Sequence, residues 1–334
     1  RQMAGMMNAG LPILTAIATL EEQCQHAGFR QVLRTLRDVI ESGTPFSEGL
    51  AMFPKIFEPM YVNMVAAGEE SGQFAAVMKR LAAMLDASAR LVRKVKSAMT
   101  YPTVIMSLAL LIAFGLITFV VPKFADMFKD FGQQLPGPTR ILVAASNFII
   151  GNWYILLPVV IVLAVGFSKW KKTERGTFLF DRFILKLPVF GVLVQKVSIA
   201  RFSRLFAQML TSGVPILDAL QIVAQAMGNK VIEQSLLSAR SGIEAGGTLS
   251  ASLEGKPFLP LLMVRMIAAG EKSGRIDEML ESVANTYDEE VEAMLATLTS
   301  LMEPFLMVFL GVVIGGIVVA MFLPIFKMGS VVSG

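Results

Sequence analysis

The groups best suited to chemistry in this sequence are the acids of a short motif that the chain contains twice. The motif Ala-Ala-Gly-Glu-Glu-Ser-Gly occupies residues 66–72 and returns at residues 268–274 with Lys272 in place of the second acid. Adjacent carboxylates such as Glu69 and Glu70 can bind a divalent cation when a neighbour supplies further oxygen ligands. Because only the first acid is repeated, we favour a structural role as a cap and turn, and a divalent ion near Glu69 stays an open alternative.

Other residues with catalytic or ligand-binding potential are few. Gly255-Lys256 is followed by Pro257 rather than by Ser or Thr, so it lacks the phosphate-binding pattern. A single histidine, His26, excludes multi-histidine metal sites, and a single cysteine, Cys24, excludes a disulfide framework within the chain. His26 lies in a polar stretch at a helix end, which favours a surface residue over a base. We therefore expect a protein that is not an enzyme and has no catalytic, cofactor-binding or metal-binding residues.

The composition places part of the chain in a lipid bilayer. Hydrophobic residues make up 54% of the sequence and charged residues only 17%. Residues 103–121 carry no charge, and a helix of that length spans roughly 28 Å, about the thickness of the hydrocarbon core. Two further uncharged stretches, 141–167 and 305–323, bring the predicted spans to three, with Pro122 and Pro324 closing the first and the third.

Outside the spans, apolar residues recur at helical spacing and no useful length alternates with a period of two. The sequence therefore predicts an all-α polytopic membrane protein with two repeated cytoplasmic helical-bundle domains and three transmembrane helices. The predicted segments are a first cytoplasmic domain at 1–101, transmembrane helix 1 at 102–122, a periplasmic loop at 123–140, transmembrane helix 2 at 141–168, a second cytoplasmic domain at 169–302, transmembrane helix 3 at 303–324 and a periplasmic tail at 325–334.

The distribution of basic residues sets the predicted topology. A basic cluster at 90–96 precedes the first span and another at 169–175 follows the second, whereas the loop between the spans carries only three basic residues. Basic residues favour the cytoplasmic side, so both large domains are expected there; acids before the third span count against this topology but weigh little. These basic clusters account for the net charge of +4, because juxtamembrane basic residues are attracted to anionic lipid. Nucleic acid is therefore not an expected partner.

The chain reads as a duplicated unit of helical domain plus membrane span. Residues around Arg1 and Pro12 match those around Arg204 and Pro215 at an offset of 203, which becomes 202 after a one-residue deletion. Chance agreement over this length with one gap is implausible. Arg1 aligns with the interior of a helix that begins near Val189 in the second copy. We therefore expect the first domain to lack the start of its first helix.

The two copies differ in charge at one place where they otherwise match. Arg90 in the first copy aligns with Glu292 in the second, and the basic patch of the first copy corresponds to an acidic patch at 288–292. The opposite patches would lie near one another if the copies pack as partners, within one chain or across a homo-oligomer interface. Alternatively, one patch contacts lipid headgroups and the other is a solvated face. The sequence leaves both interpretations open.

The repeated motif is predicted to form an elbow between each helical bundle and the long helix that enters the membrane. Its small residues pack the bundle, its serine accepts from the free amides that begin the outgoing helix, and its last glycine permits the bend. The candidate structural residues of the two elbows are Gly68, Glu69, Ser71 and Gly72 in the first copy and Gly270, Glu271, Ser273 and Gly274 in the second.

The membrane spans themselves offer few polar groups. Their uncharged stretches, 103–121, 141–167 and 305–323, contain no Asp, Glu, Lys or Arg, which argues against a proton- or ion-coupled transporter. Glu303, beside Pro304 at the mouth of the third span, is either an ordinary boundary residue or the acceptor of a basic partner. Gly311 and Gly315 form a Gly-x-x-x-Gly face, which we interpret as a site of close helix packing rather than as lipid-facing glycine.

Together these motifs resemble a known family. The runs at 213–217 and 10–14, the doubled Ala-Gly-Glu-x-Ser-Gly motif and the stretch from Glu303-Pro304 to Pro324-Ile325-Phe326 are similar to the bacterial type II secretion F / type IV pilus PilC family, over essentially the entire chain. The resemblance implies a non-enzymatic, multi-pass platform protein of the bacterial inner membrane. Such proteins couple a cytoplasmic hexameric ATPase to the extraction and polymerisation of pilins or pseudopilins, and they carry a further N-terminal stretch.

The resemblance also implies a set of partners. These are the secretion or pilus ATPase, pilin or pseudopilin subunits, other inner-membrane assembly proteins, the lipid bilayer and further copies of the chain in a homo-oligomer. The glycine-rich third span is a hypothesised meeting place for the apolar helix of a pilin. The sequence does not decide between a pilus and a secretion system. The alternative function is a membrane transporter or channel component built from an internal repeat, and a membrane-bound enzyme is a third.

Overall fold

The computed structural model describes residues 1–130, 136–256 and 258–332, with side chains described throughout except at 127–130 and 324–332. Within those ranges the chain is helical and contains no strand, which confirms the all-α class. The helices are α1 (Gln2–Asn8), α2 (Ile13–Gln23), α3 (Ala27–Glu41), α4 (Phe46–Ala51), α5 (Pro59–Glu70), α6 (Phe74–Gly115), α7 (Val121–Asp130), α8 (Gly137–Lys171), α9 (Glu174–Lys186), α10 (Phe190–Thr211), α11 (Ile216–Ala226), α12 (Lys230–Glu244), α13 (Leu249–Leu253), α14 (Leu261–Ser273) and α15 (Ile276–Val332).

The chain divides into two compact units. The bundle unit comprises Arg1–Val92 and Thr177–Glu292, and the spanning unit comprises Arg93–Gly176 and the residues from Ala293 onward. Both predicted cytoplasmic domains therefore contribute to a single bundle unit. The sequence left such packing of the two copies open, because contacts between the copies leave no periodic signal in either.

Within the bundle unit the duplication extends to individual helix boundaries. Helices α2, α3 and α4 each begin 203 residues before α11, α12 and α13. After the one-residue deletion, α5 and α6 begin 202 residues before α14 and α15. Helix α1 corresponds to the last seven residues of α10, so Arg1 aligns with the interior of α10 as the sequence predicted.

One hydrophobic core runs through both copies of the bundle unit. It joins Leu36 and Met64 of the first copy to Leu220 and Leu236 of the second, all at most 2% exposed. Burying a side chain of this size contributes about 1.5–3 kcal/mol relative to leaving it in water. The amphipathic stripes of the short helices thus hold the two copies in one body.

The long helices α6 and α15 continue past the prolines in their paths. Helix α6 passes into a π-helical turn at Leu116–Val120 and then into α7, so Pro122 does not end it. Helix α15 runs on through Pro324. Both helices therefore continue past the prolines that close the predicted spans, since neighbouring groups and local π geometry accommodate a missing amide donor within a membrane helix. Residues 131–135 of the predicted loop, 333–334 of the predicted tail and Pro257 lie outside the described residues.

In the described part of the chain three helical stretches are long and apolar enough to cross a membrane, which confirms the three predicted spans. They are Phe74–Asp126, Gly137–Lys171 and Ile276–Leu323, and their most apolar windows have mean hydropathies of 2.8, 2.4 and 2.9. Inside the spanning unit a small apolar cluster includes Ala113 and Ile317. Most other apolar side chains of the spans face outward, as a lipid environment allows.

Candidate functional site

The repeated glutamate of each elbow caps a neighbouring short helix. Glu69, in the last turn of α5, accepts hydrogen bonds from the backbone amides of Phe46 at 2.7 Å and Ser47 at 3.1 Å, at the start of α4. Glu271 accepts from the first two amides of α13 at 2.5 and 3.0 Å, and also from the hydroxyl of Ser250. The first amides of a helix have no partner within it and carry the positive end of its dipole, so a carboxylate satisfies both needs.

This geometry explains why only the first acid of the motif is repeated. Glu69 is half-buried and both of its oxygens accept backbone hydrogen bonds. Glu70 and its counterpart Lys272 are exposed, so either charge is tolerated there. The residues described by the structure contain no group of three or more His, Cys, Asp or Glu side chains arranged to hold a metal ion. The two backbone hydrogen bonds that Glu69 accepts support its role as a cap.

The first glycine of each elbow lies where the outgoing helix passes at van der Waals distance. A Cβ built on Gly68 would lie 2.9 Å from the Cβ of Val77 in α6. A Cβ built on Gly270 would lie 2.8 Å from the backbone Cα of Ile276 in α15. Because contacts this short do not occur between real side chains, glycine is what allows each incoming helix to cross its outgoing helix so closely.

The serine of each elbow bonds in the direction opposite to the prediction. The hydroxyls of Ser71 and Ser273 donate to the carbonyls four residues earlier, at 2.7 and 2.9 Å. The predicted cap on the outgoing helix is therefore wrong, and each serine instead closes the last turn of the incoming helix. The following residues, Gly72 and Gly274, have φ angles of +68° and +69°, a left-handed conformation that turns the chain and costs glycine no strain.

An arginine–aspartate pair that sequence reasoning missed ties α1 to α6 and α10 to α15. Arg1 pairs with Asp86, and Arg204 pairs with Asp288 at 2.6 Å. Both members are repeated, since Arg204 lies 203 residues after Arg1 and Asp288 lies 202 residues after Asp86. The sequence carried a signal for this pair, because an arginine recurs at the offset of 203 and an aspartate recurs at the offset of 202.

The acidic patch at 288–292 meets α10 of its own copy. Asp288 binds Arg204, and Glu290 binds Lys196 at 2.6 Å. For these two acids the packing of α10 against α15 supplies basic partners within the same copy. Beside them Tyr287 is only 7% exposed, and its burial, followed by the charge of Glu290, raises the pKa of its phenol.

Thr211, the last residue of α10, contacts residues in the first two turns of both long helices. Arg80 of α6 donates to the Thr211 carbonyl at 3.2 Å. The Thr211 hydroxyl donates to the carboxylate of Asp277 in α15, also at 3.2 Å. The two elbows are thus connected within the bundle unit through the end of a single helix.

The two copies meet asymmetrically where α5 approaches α11. Met60 of α5 is 2% exposed, whereas its counterpart Leu262 in α14 is 58% exposed. A cavity of about 370 Å³ at this junction is lined in part by Glu58 and Arg201. Burial, and then the charge of Glu58, raises the pKa of Tyr61, and Arg201 opposes that shift. The surface of α14 that corresponds to this contact surface of α5 is therefore exposed.

The candidate residues of the third span lie apart from the elbows along the chain. Glu303 and Pro304 are exposed. No hydrogen-bond or ion-pair partner of Glu303 is found among the described residues. A Cβ built on Gly311 or Gly315 would meet no atom within 4 Å. The Gly-x-x-x-Gly face is consequently not used for packing by the described part of the chain.

Comparison with known proteins matches both halves of the chain. A family model described as type II secretion system protein F matches residues 1–122 and 202–324. The chain is 41% identical over 334 residues to a type IV pilus assembly protein PilC of Thermus thermophilus, covering 100% of this chain and 82% of that protein. It is 38% identical over 333 residues to PilC of Myxococcus xanthus, covering 100% and 80%. A type II secretion system protein F of Aeromonas hydrophila is 32% identical over 338 residues, covering 100% and 86%.

Proposed function

Because the chain belongs to the type II secretion system protein F family, we propose that it is an inner-membrane platform protein of a type IV pilus or a type II secretion system. The pilus-assembly relatives share 41% and 38% identity with it, against 32% for the secretion relative. This difference favours pilus assembly as the process it serves.

In this role the bundle unit receives movement from a cytoplasmic hexameric ATPase and passes it to pilin or pseudopilin subunits in the membrane. The observation that carries the proposal is that each elbow begins one long helix, of 42 residues in α6 and 57 in α15. At 1.5 Å per residue α15 is roughly 85 Å long. Each helix continues through its internal proline, Pro102 in α6 and Pro304 in α15, and so gives a displacement at the elbow one continuous helix to follow.

The proposed role is non-enzymatic and places both large domains in the cytoplasm of a bacterium. The repeated acids of the elbows support a mechanical role, since they are engaged in capping α4 and α13. The basic clusters at 90–96 and 169–175 support the topology. Other inner-membrane assembly proteins and further copies of the chain complete the proposed partners.

Affinity purification from membranes tests the proposed partners. We expect the tagged chain, extracted in mild detergent, to co-purify with a hexameric ATPase and with pilin-like subunits identified by mass spectrometry. The matched control is an unrelated tagged multi-pass protein from the same membranes. Absence of both partners, together with loss of uptake of a solute on gene deletion, would instead indicate a transporter component.

The Gly-x-x-x-Gly face of the third span is the proposed contact for the apolar helix of a pilin. Replacing Gly311 and Gly315 by Leu is expected to abolish crosslinking between α15 and pilin, because the larger side chains prevent close helix approach. Val312→Leu, on the exposed surface of the same helix, is the matched control. Unchanged crosslinking in the double variant would contradict this contact.

A further inference from the structure

Helix α9 presents an outward face that combines apolar and basic side chains. Leu179 and Phe183 are 53% and 60% exposed, although each is large and apolar. Arg175, Arg182 and Lys186 are exposed at helical spacing on the same face. Apolar groups flanked by cations on one helical face are typical of helices that lie in the interface of a membrane.

The opposite face of α9 fixes the helix to the bundle unit. Asp181 is 8% exposed, and its carboxylate accepts a hydrogen bond at 2.8 Å from the backbone amide of Lys230, the first residue of α12. Asn229 caps the next two amides of the same helix. Because a buried carboxylate holds α9 in this orientation, its apolar residues cannot turn inward without breaking the cap.

The first turn of α9 lies against the last turn of the second span. A Cβ built on Gly176 would lie 1.9 Å from the carbonyl oxygen of Trp170, near the end of α8. The amide of Gly176 donates to the hydroxyl of Thr173, which closes the turn between the helices. Since α8 is a membrane span that ends in a basic cluster, this corner places the start of α9 at the headgroup layer.

The turn after α9 extends the exposed apolar surface. Val189, Phe190 and Val192 are 44%, 44% and 45% exposed, and α9 and α10 meet there at a bend of 107°. Val189 has a φ angle of +68°, a conformation that a β-branched residue adopts only under strain.

We propose that α9 and the following turn form an interfacial anchor on anionic lipid. In this anchor the apolar residues enter the boundary between headgroups and acyl chains, and the basic residues bind lipid phosphates. The apolar members are Leu179, Phe183, Val189, Phe190 and Val192, and the basic members are Arg175, Arg182 and Lys186. A second copy docking through the same face would bring like charges together, which disfavours that occupant.

Depth-dependent fluorescence quenching tests the anchor in the full chain. In a Cys24→Ser background, single cysteines at Phe183, Phe190 and the exposed control Gln31 carry a small fluorophore, in nanodiscs of phosphatidylcholine and phosphatidylglycerol. Quenching by lipid-attached nitroxides at Phe183 and Phe190 is expected to exceed that at Gln31 by at least about threefold, with weaker quenching by aqueous iodide.

Two outcomes of this experiment would overturn the anchor. Strong iodide quenching at Phe183, equal to that at Gln31, would show a solvated face. Protection from both quenchers would show that protein, such as a second copy, covers it. Because all three labelled positions are exposed, the labels are not expected to prevent folding.

A charge-reversed variant tests the headgroup contacts separately. Arg182→Glu with Lys186→Glu is expected to lower the lipid quenching at Phe183 by about half in the anionic nanodiscs, because each cation near the surface is attracted to anionic lipid. The same variant in nanodiscs of phosphatidylcholine alone is expected to differ little from the parent chain. Equal quenching of variant and parent in anionic nanodiscs would overturn the role of the two cations.

Discussion

The first and second copies of the repeated unit share their elbows but differ in the contacts inside their bundles. In the second copy Ile232, Phe258 and Tyr287 are at most 7% exposed. Gln195, in the first half of α10, donates to the carbonyl of Phe258 at 3.0 Å.

The copies also differ in the contact between their second and third helices. In the first copy Glu21 is 7% exposed and binds Arg34 at 3.0 Å and Arg37 at 2.6 Å. The corresponding residue of the second copy is Ala224, which is fully buried. The second and third helices of the repeat are therefore joined by ion pairs in the first copy and by an apolar contact in the second.

The two copies agree in the contacts that hold the start of each long helix and differ in the side chains inside each bundle. The capping glutamate, the close-contact glycine, the left-handed glycine and the arginine–aspartate pair all recur. The contacts inside the bundles differ in chemistry, as Glu21 and its counterpart Ala224 show. This pattern supports the elbow as the element on which the shared mechanical role depends.

Valine at the close-contact glycines is expected to have the largest effect and to separate the copies. Gly270→Val should lower the free energy of unfolding of the bundle unit by about 3 kcal/mol and Gly68→Val by about 2 kcal/mol, because the backbone at Ile276 yields less than the side chain of Val77. Urea titration in mild detergent, followed by circular dichroism, measures both. Gly5→Val, which meets open space, is the control. A larger loss at Gly68 would contradict the geometry.

Removing the capping carboxylates should have the next largest effect. Glu271→Ala is expected to cost about 2 kcal/mol and Glu69→Ala about 1.5 kcal/mol in the same titration, since Glu271 also accepts from the Ser250 hydroxyl. The neighbouring exposed residues provide Glu70→Ala and Lys272→Ala as matched controls, each expected to change stability by less than about 0.5 kcal/mol. Equal effects of Glu70→Ala and Glu69→Ala would show that the capping carboxylate contributes no more stability than an exposed acid.

Converting the first copy toward the second tests the divergence at Glu21. Glu21→Ala alone is expected to cost about 1 kcal/mol, a value reduced by the partial exposure of both arginines. Adding Arg34→Leu, which reproduces the second copy's Leu237, is expected to recover most of the loss, because the two introduced side chains then pack against each other as an apolar pair. Further destabilisation in the double variant would show that the two interfaces are not interchangeable.

The smallest expected effect concerns the arginine–aspartate pairs. Double-mutant cycles to alanine should give a coupling of about 1 kcal/mol for Arg204 with Asp288 and about 0.3 kcal/mol for Arg1 with Asp86. The side chain of Arg204 is 18% exposed and that of Arg1 is 64% exposed, so solvent screens the first-copy pair more strongly. Cycles at low and high salt check the ranking, and a stronger coupling in the first copy would reverse the comparison.

The sequence predicted the features that depend on local pattern. Helical periodicity and uncharged length gave the all-α class and the three spans, and the two offsets placed Ile13 and Ile216 at equivalent helix starts. It could not predict which amides Glu69 caps, because its partners in α4 lie more than twenty residues away along the chain and are brought near only by packing. The direction of the Ser71 hydroxyl was missed for a related reason, since a turn serine can bond to either flanking helix and local sequence does not choose.

Counting surface pili and secreted proteins in the cell that encodes the chain tests the platform role most directly. Deletion of the gene is expected to abolish assembled pili, or secreted proteins if a secretion system is served. The unaltered gene is expected to restore them, and Gly270→Val, through the disturbed elbow, should restore at most about a tenth. Unchanged pili and unchanged secretion in the deletion strain would contradict the account.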